Sequence, residues 1–330
     1  MLKKGIGSGA LAGALLVLAW LGMTLGQDVM PRGAPSQSGP LVQDQLSSAP
    51  QGGPGDFELS AQPVRTADER ATAAGGGASA TEEVALPGIT AQAYIVIDGD
   101  SGETLLQFHA SEGRPMASLT KIMTALLVLE RGNLDDVATV PEAVANLRFS
   151  TLMGVQSGEQ VSVRDLLYGM MLPSGNDAAI ALAYYISGDE ETFTREMNRR
   201  ALELGLRNTR FANSHGLDSR TEPHFASSAD LAMLTQYAMQ MPDFRRVVAA
   251  RSWSGRGVQR NYSMVNINGL LASYPGAIGV KIGYTRRAGQ TIVGSAVRKG
   301  RWLIVVALGS KQSVTDAGFL LEKGFALATQ

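Results

Sequence analysis

Three short stretches of the chain hold residue types that can do covalent chemistry. In "MASLTKIMTALLVLE", Ser118 and Lys121 stand three residues apart at the head of an apolar run. Ile122, Ala125, Leu126 and Leu129 recur at helical spacing, so the stretch reads as an amphipathic helix burying one face. Three residues is almost one turn, which sets Ser118 and Lys121 one above the other. Two readings fit the pair: a capping serine with a solvated lysine, or a nucleophile with a lysine as its base. In "LPSGNDAAI", Pro173 and Gly175 break the chain ahead of a second helix and leave Ser174 and Asn176 in the loop, where either is also an ordinary cap. In "GVKIGYT", Lys281 lies between Gly279 and Gly283. Glycine in a strand fits a close approach of a ligand to the backbone, while a lone lysine there fits an edge strand guarding against further pairing.

A serine hydroxyl is a weak nucleophile and needs a base aimed at its proton. Lys121 can be that base only if burial or nearby positive charge lowers its pKa, and Lys281 would supply such a charge.

The elements that must position these residues follow from patterning. "AYIVID" and "ETLLQFHA" are β-rich runs joined by Asp98-Gly99-Asp100-Ser101-Gly102, a hairpin signal. From about Pro141 to Arg251 the patterning is mostly helical, as in "VRDLLYGMML", "NDAAIALAYYI" and "SADLAMLTQYAMQ". Strand signals return at "GVKIGYT", "QTIVGSAVR" and "RWLIVVALG", and "TDAGFLLEKGFAL" closes the chain as a helix. Strands at both ends with helices between predict an α/β (α+β) domain: one antiparallel sheet built from the two termini, flanked by helices, with a helical region inserted.

Composition bounds the partners. With 45% hydrophobic and 18% charged residues, most of the 330-residue chain can bury a core. A net charge of −1 without a basic stripe gives no reason to expect nucleic acid. The absence of cysteine excludes disulfides, thiolate metal sites and thiol catalysis, and fits an extracytoplasmic bacterial protein. Lys3 and Lys4 precede an uncharged run to Gly26, so residues 1–26 read as a signal peptide or an N-terminal membrane anchor. Residues 27–87 hold seven of the thirteen prolines, many Gln, Ser and Gly, and almost no aromatics. Such a stretch cannot bury enough surface to fold, and reads as a disordered linker reaching on the order of 40 Å. The folded domain is expected over 88–330. His109, His215 and His224 show no metal-ligand spacing and read as structural; neither metal nor cofactor is expected.

A Ser-x-x-Lys, a Ser-x-Asn and a Lys-x-Gly in this order resemble the signature of serine β-lactamases and penicillin-binding proteins. Beyond the motifs, "SVRDLLYGMMLPSGNDAA", "FANSHGLD", "NINGLLASYPGAIGVKIGYTRRAG" and "LLEKGF" make the chain from about Ala93 onward similar to the low-molecular-mass penicillin-binding proteins, the D-alanyl-D-alanine carboxypeptidases of serine peptidase family S11. The resemblance implies the β-lactamase/DD-peptidase-like fold. It implies that Ser118 attacks the carbonyl between the last two D-alanines of a peptidoglycan stem peptide, with Lys121 as base, and that β-lactams acylate the same serine. Ser174 would pass the proton to the departing amine and Asn176 would hold the substrate backbone and orient Lys121. Lys281, Gly283 and Tyr284 would line the substrate, with the N–H groups of Ser118 and Tyr284 meeting the oxyanion.

The chain departs from the family at two places. Position 282 is isoleucine where Lys-Thr-Gly is usual, and position 313 is serine where many relatives carry arginine. Both changes weaken the expected grip on a terminal carboxylate, which Lys311, Arg286 or Arg287 would have to restore. The same motifs would serve a D,D-endopeptidase that cuts cross-links, or a weakly active wall-binding homologue. The chain also ends where many relatives continue into a β-rich domain and an amphipathic anchor, so membrane attachment is expected from the N-terminal segment.

Overall fold

A computed structural model of the chain describes residues 83–147 and 150–328. The expected address at 1–26 and nearly all of the expected linker lie outside the described residues. Strands β1 (Ala93–Asp98) and β2 (Thr104–Phe108) form the hairpin that the sequence predicts, with Asp98 Oδ1 accepting the N–H of Ser101 at 2.9 Å in the turn. A 3-10 turn at Ala117–Thr120 runs directly into α1 (Lys121–Arg131). The inserted region holds the short ladder of β3 (Val137–Thr139) with β4 (Gln160–Ser162), then α2 (Val163–Met171), α3 (Asn176–Ser187) and α4 (Glu190–Glu203). It continues through the two-residue ladder of β5 (Thr209–Arg210) with β6 (Phe225–Ala226), α5 (Ser228–Ala238), α6 (Pro242–Ala249) and the hairpin of β7 (Ser252–Arg256) with β8 (Asn261–Val265). After the short α7 (Gly269–Ser273) come β9 (Ala277–Thr285), β10 (Gly289–Arg298), β11 (Arg301–Ser310) and α8 (Ser313–Leu327).

The large sheet is antiparallel throughout, in the order β2-β1-β11-β10-β9. The first and last strands of the described residues meet in its middle: Ala93 faces Leu308 and Asp98 faces Leu303. Strand β11 reads "WLIVVAL" without alternation because both of its faces are covered. Trp302, Ile304, Val306 and Leu308 enter the core under the helical region, and Leu303, Val305 and Ala307 enter a second core under α8. Full burial of each such aliphatic side chain stabilises by about 1.5–3 kcal/mol. The Trp302 indole N–H, buried with its ring, donates to Ser295 Oγ at 2.7 Å.

Helix α1 differs from its amphipathic expectation. Every residue from Lys121 to Val128 is buried. A helix wrapped on all sides belongs to the centre of a core, and this one is surrounded by α2, α3, α5 and α6. Side-chain caps start α2, α4 and α5, where Ser162, Asp189 and Ser227 each accept the backbone N–H three residues on. Helix α3 is different: Gly175 is its N-cap and no side chain caps it, which leaves Ser174 and Asn176 free of capping.

Candidate active site

Ser118 does not cap its helix. The N-cap of α1 is Thr120, with no side-chain cap, and Ser118 lies inside the preceding 3-10 turn. Ala117 just before it adopts φ +50°, a left-handed conformation that costs an L-residue roughly 1–2 kcal/mol. Neighbouring elements hold it there. His224 Nδ1 accepts the Ala212 N–H at 2.9 Å, so its Nε2 carries the proton and donates to Thr120 Oγ1 at 2.9 Å. Thr120 Oγ1 in turn donates to the Ala117 carbonyl at 2.8 Å, and Thr291 Oγ1 of β10 donates to that of Met116 at 3.1 Å. Two glycines close on the turn. A Cβ at Gly216 would stand 2.1 Å from the Ala117 oxygen, and one at Gly283 would stand 2.8 Å from the Ser118 nitrogen. Ser118 itself is half-buried and faces a cleft.

Lys121 is fully buried, and its Nζ has three neighbours: Ser118 Oγ at 3.0 Å, Asn176 Oδ1 at 2.6 Å and the His215 carbonyl at 2.5 Å. Burial first, and then the Lys281 ammonium, push the Lys121 pKa well below its ordinary value, against the opposing pull of Asp177. A neutral amine keeps two hydrogens and one lone pair. The Asn176 and His215 oxygens can only accept, so they take the two hydrogens and leave the lone pair aimed at Ser118 Oγ. Such an amine can remove a proton from the hydroxyl.

Lys281 is equally buried, and its Nζ donates to the carbonyl of Ile282 at 3.0 Å. Burial pushes its pKa down to about 7. Ser174 is buried at φ +66°, with its carbonyl held by Thr151 Oγ1 at 2.7 Å. Tyr284 is 67% exposed, on edge strand β9. Ser118, Ser174, Asn176, Gly283 and Tyr284 all line one cleft of about 620 Å³, so five of the seven predicted site residues share its wall and the two lysines lie buried behind it.

Sequence reasoning missed Asp177. It is 2% exposed, and its Oδ1 accepts the N–H of Met153 at 2.8 Å while its Oδ2 accepts those of Gly154 at 2.6 Å and Val155 at 3.0 Å. That carboxylate ties the loop after Ser150 and Thr151, which line the cleft, to the start of α3. The available signal was an acidic residue in the first turn of a helix, which occurs in most helices. Gly216 was also missed; its signal was a glycine in "SHGLD". His215 and His224 are buried, with pKa values pushed down to about 3 and about 4, in each case mainly by burial. His109 lies elsewhere, paired with Glu112 at 2.7 Å. Among the described residues no cluster of three His, Cys, Asp or Glu side chains has the arrangement of a metal site.

Ile282 lines the cleft as Thr would, but packs on the core under α8. Lys311, Arg286 and Arg287 are all exposed and none of them lines the cleft.

An antiparallel sheet with an inserted helical region, carrying a serine and lysine turn against its edge strand, is the architecture of the serine DD-peptidases. The family model described as D-alanyl-D-alanine carboxypeptidase, serine peptidase family S11, matches residues 80–312, and the chain belongs to that family. The D-alanyl-D-alanine carboxypeptidase DacF of Bacillus subtilis is 33% identical over 226 residues, which cover 67% of this chain and 57% of that protein. The D-alanyl-D-alanine carboxypeptidase DacB2 of Mycobacterium tuberculosis is 35% identical over 254 residues, covering 75% of this chain and 86% of that one. The chain thus spans less than two thirds of the Bacillus relative but most of the mycobacterial one. A solved structure of a Streptomyces K15 DD-transpeptidase mutant superposes with a TM-score of 0.69 at 34% identity, over 73% of this chain and 100% of that one. Among the described residues no helix is long and apolar enough to cross a membrane.

Proposed function

We propose that the protein is a serine D-alanyl-D-alanine carboxypeptidase that removes the terminal D-alanine from peptidoglycan stem peptides and is acylated by β-lactams. The observation that carries this reading is the buried Lys121 amine, whose two hydrogens are taken by carbonyl oxygens and whose third direction points at Ser118 Oγ 3.0 Å away. In this reading neutral Lys121 takes the Ser118 proton as Oγ attacks the peptide carbonyl. The N–H groups of Ser118 and Tyr284 receive the developing oxyanion. Ser174 relays the proton to the departing amine, and Asn176 holds both the lysine and the substrate backbone. Water then hydrolyses the acyl-enzyme. Burial first, and then the charge of Lys281, although that lysine is hydrogen-bonded to its own strand, favour the neutral form of Lys121.

Fluorescent penicillin tests the mechanism. It should label the full chain covalently and leave Ser118→Ala unlabelled, and a pentapeptide stem should release D-alanine only with the former; equal labelling of both proteins would remove Ser118 as nucleophile. The uncharged lining of the cleft favours a second reading, cutting of cross-links by the same residues as a D,D-endopeptidase, which assays on isolated muropeptides separate from the first. For the remainder of the chain we read 1–26 as an export or anchoring segment and 27–87 as a tether on the outer side of the membrane. The lysine pair, the apolar run and the Pro-rich composition support that reading.

A further inference from the structure

Beyond Gly283 the cleft is lined by Ile282 and Val314 and by three polar side chains, Thr285, Gln290 and Ser313. In the family resemblance, position 282 is where the carboxyl group of the leaving residue lies. The protons of the three polar groups there are already placed. Thr285 Oγ1 donates to Asp218 Oδ1 at 2.9 Å. Ser313 Oγ donates to Gln290 Oε1 at 3.2 Å, and the Ser313 backbone N–H donates to the same oxygen at 3.0 Å. A backbone N–H can only donate, so the Gln290 amide has its oxygen toward Ser313 and its nitrogen toward the Lys311 carbonyl at 3.0 Å.

A carboxylate only accepts hydrogen bonds, and binds best to charged donors. Here none of the lining side chains is cationic, since Lys281 is buried behind the wall on the Ile282 carbonyl, and the Asp218 carboxylate that Thr285 meets has the wrong sign. A carboxamide both accepts and donates. Gln290 Nε2 keeps a second hydrogen for its oxygen, and Ser313 Oγ keeps acceptor lone pairs for its nitrogen. Ile282, which adds no donor, covers the methylene side of such a group.

We infer that this cleft takes, on the leaving side of the scissile bond, a residue whose carboxyl is a neutral carboxamide in preference to one with a free carboxylate. The inference rests on the acyl-transfer reading and shifts the preferred substrate of that site from free-acid D-alanyl-D-alanine ends toward D-alanyl peptides with an amidated leaving residue. The chemical step is unchanged. The Ser118 Oγ–carbon bond forms, the carbon–nitrogen bond to the leaving residue breaks, the serine proton ends on the departing amine, and the carboxamide at the far end of that residue stays intact.

The test compares two peptides on one preparation of the full chain: diacetylated L-lysyl-D-alanyl-D-alanine and the same peptide with its C-terminus amidated. The expected kcat/KM favours the amide by about tenfold, the scale of one hydrogen-bond pairing. Because both rates come from one sample, incomplete folding cancels in the ratio. Ser313→Ala, which removes the acceptor, should bring that ratio toward one. A preference for the free acid in the native protein overturns the inference, even where Ser118 forms an acyl-enzyme readily. Failure of both peptides to acylate Ser118 overturns the proposed activity along with it.

Discussion

At Lys121 the two carbonyl partners do as much as the serine. Without them the amine would rotate, and its lone pair would have no fixed direction; without burial and Lys281 it would hold its third proton at neutral pH. Removing the second charge should therefore move the base. In Lys281→Gln the pH at which penicillin acylation rises is expected to shift upward, because one cause lowering the Lys121 pKa is gone. A pH–rate profile that keeps its rising limb in place would show that burial alone sets the base. Ile282→Thr tests the opposite end of the cleft. Threonine and isoleucine are both β-branched, so β9 should accept the change, and the added hydroxyl is a donor where none now stands. A hydrogen bond to a charged group is worth roughly 1.5–3 kcal/mol. The expected outcome is about a tenfold higher kcat/KM on free-acid substrates, with little gain on amidated ones. Ser118, Lys121 and Lys281 were readable because three short motifs carry them. The partners of Lys121 were less readable: Asn176 lies 55 residues away and the His215 carbonyl 94, and a backbone carbonyl leaves no trace in residue type.

Among the elements, the loop ahead of α2 and the start of α3 are joined through Asp177. Asp177→Asn would turn an amide nitrogen toward backbone N–H groups that now meet an oxygen. The expected loss is about 2–3 kcal/mol of stability, seen as a drop in Tm of several degrees, together with weaker acylation as the cleft wall loosens. Gly283→Ala tests the close approach of β9 to the Ser118 turn. Its Cβ would press on Thr291 Oγ1 and on the Ser118 nitrogen, so penicillin labelling should fall at least about a hundredfold, the scale of losing one oxyanion donor. Because a backbone atom must give way, the melting temperature should fall as well. The long elements were legible because strands such as β11 and helices such as α3 have strong apolar patterns. The ladders β3–β4 and β5–β6, of three and two residues per strand, were not, since their pairing is set by the packing around them. Helix α1 was read with the right position and the wrong environment, because a stripe of leucines looks the same whether the opposite face meets water or protein.

For the molecule as a whole, the described body begins before the expected boundary at Gly88. The Val84 N–H donates to the Gln107 carbonyl at 2.9 Å, Tyr94 OH donates to the Val84 carbonyl, and the Leu86 N–H donates to Tyr94 OH at 2.9 Å. A chain starting at Gly88 would lose both of these partners of the Tyr94 hydroxyl and the Val84–Gln107 bond. It is expected to be about 1–3 kcal/mol less stable to urea than one starting at Glu83, with equal activity on small substrates. Stability should also depend on pH through Lys281. Its pKa is about 7 in the folded protein and about 10.4 in the unfolded chain, so between these values the unfolded state binds the extra proton. Stability then rises with pH from about 7 to about 10, with the lowered Lys121 adding to the same rise, and Lys281→Met should make that rise shallower in urea midpoints.

The meeting of the first and last described strands in mid-sheet has a consequence for the order of events during folding. Strand β1 is among the first segments of the domain to leave the ribosome, yet its partner β11 is among the last. Contacts of such sequence separation form slowly, since a long loop must close before they are rewarded. The Ser118 turn is under the same constraint: the Met116 carbonyl beside it is held by Thr291, 175 residues onward. A nascent or truncated chain therefore holds Ser118 in sequence but not the clamp that shapes its turn. Reactivity should appear only after the last strands have joined, which makes penicillin labelling during refolding a clock for completion of the sheet.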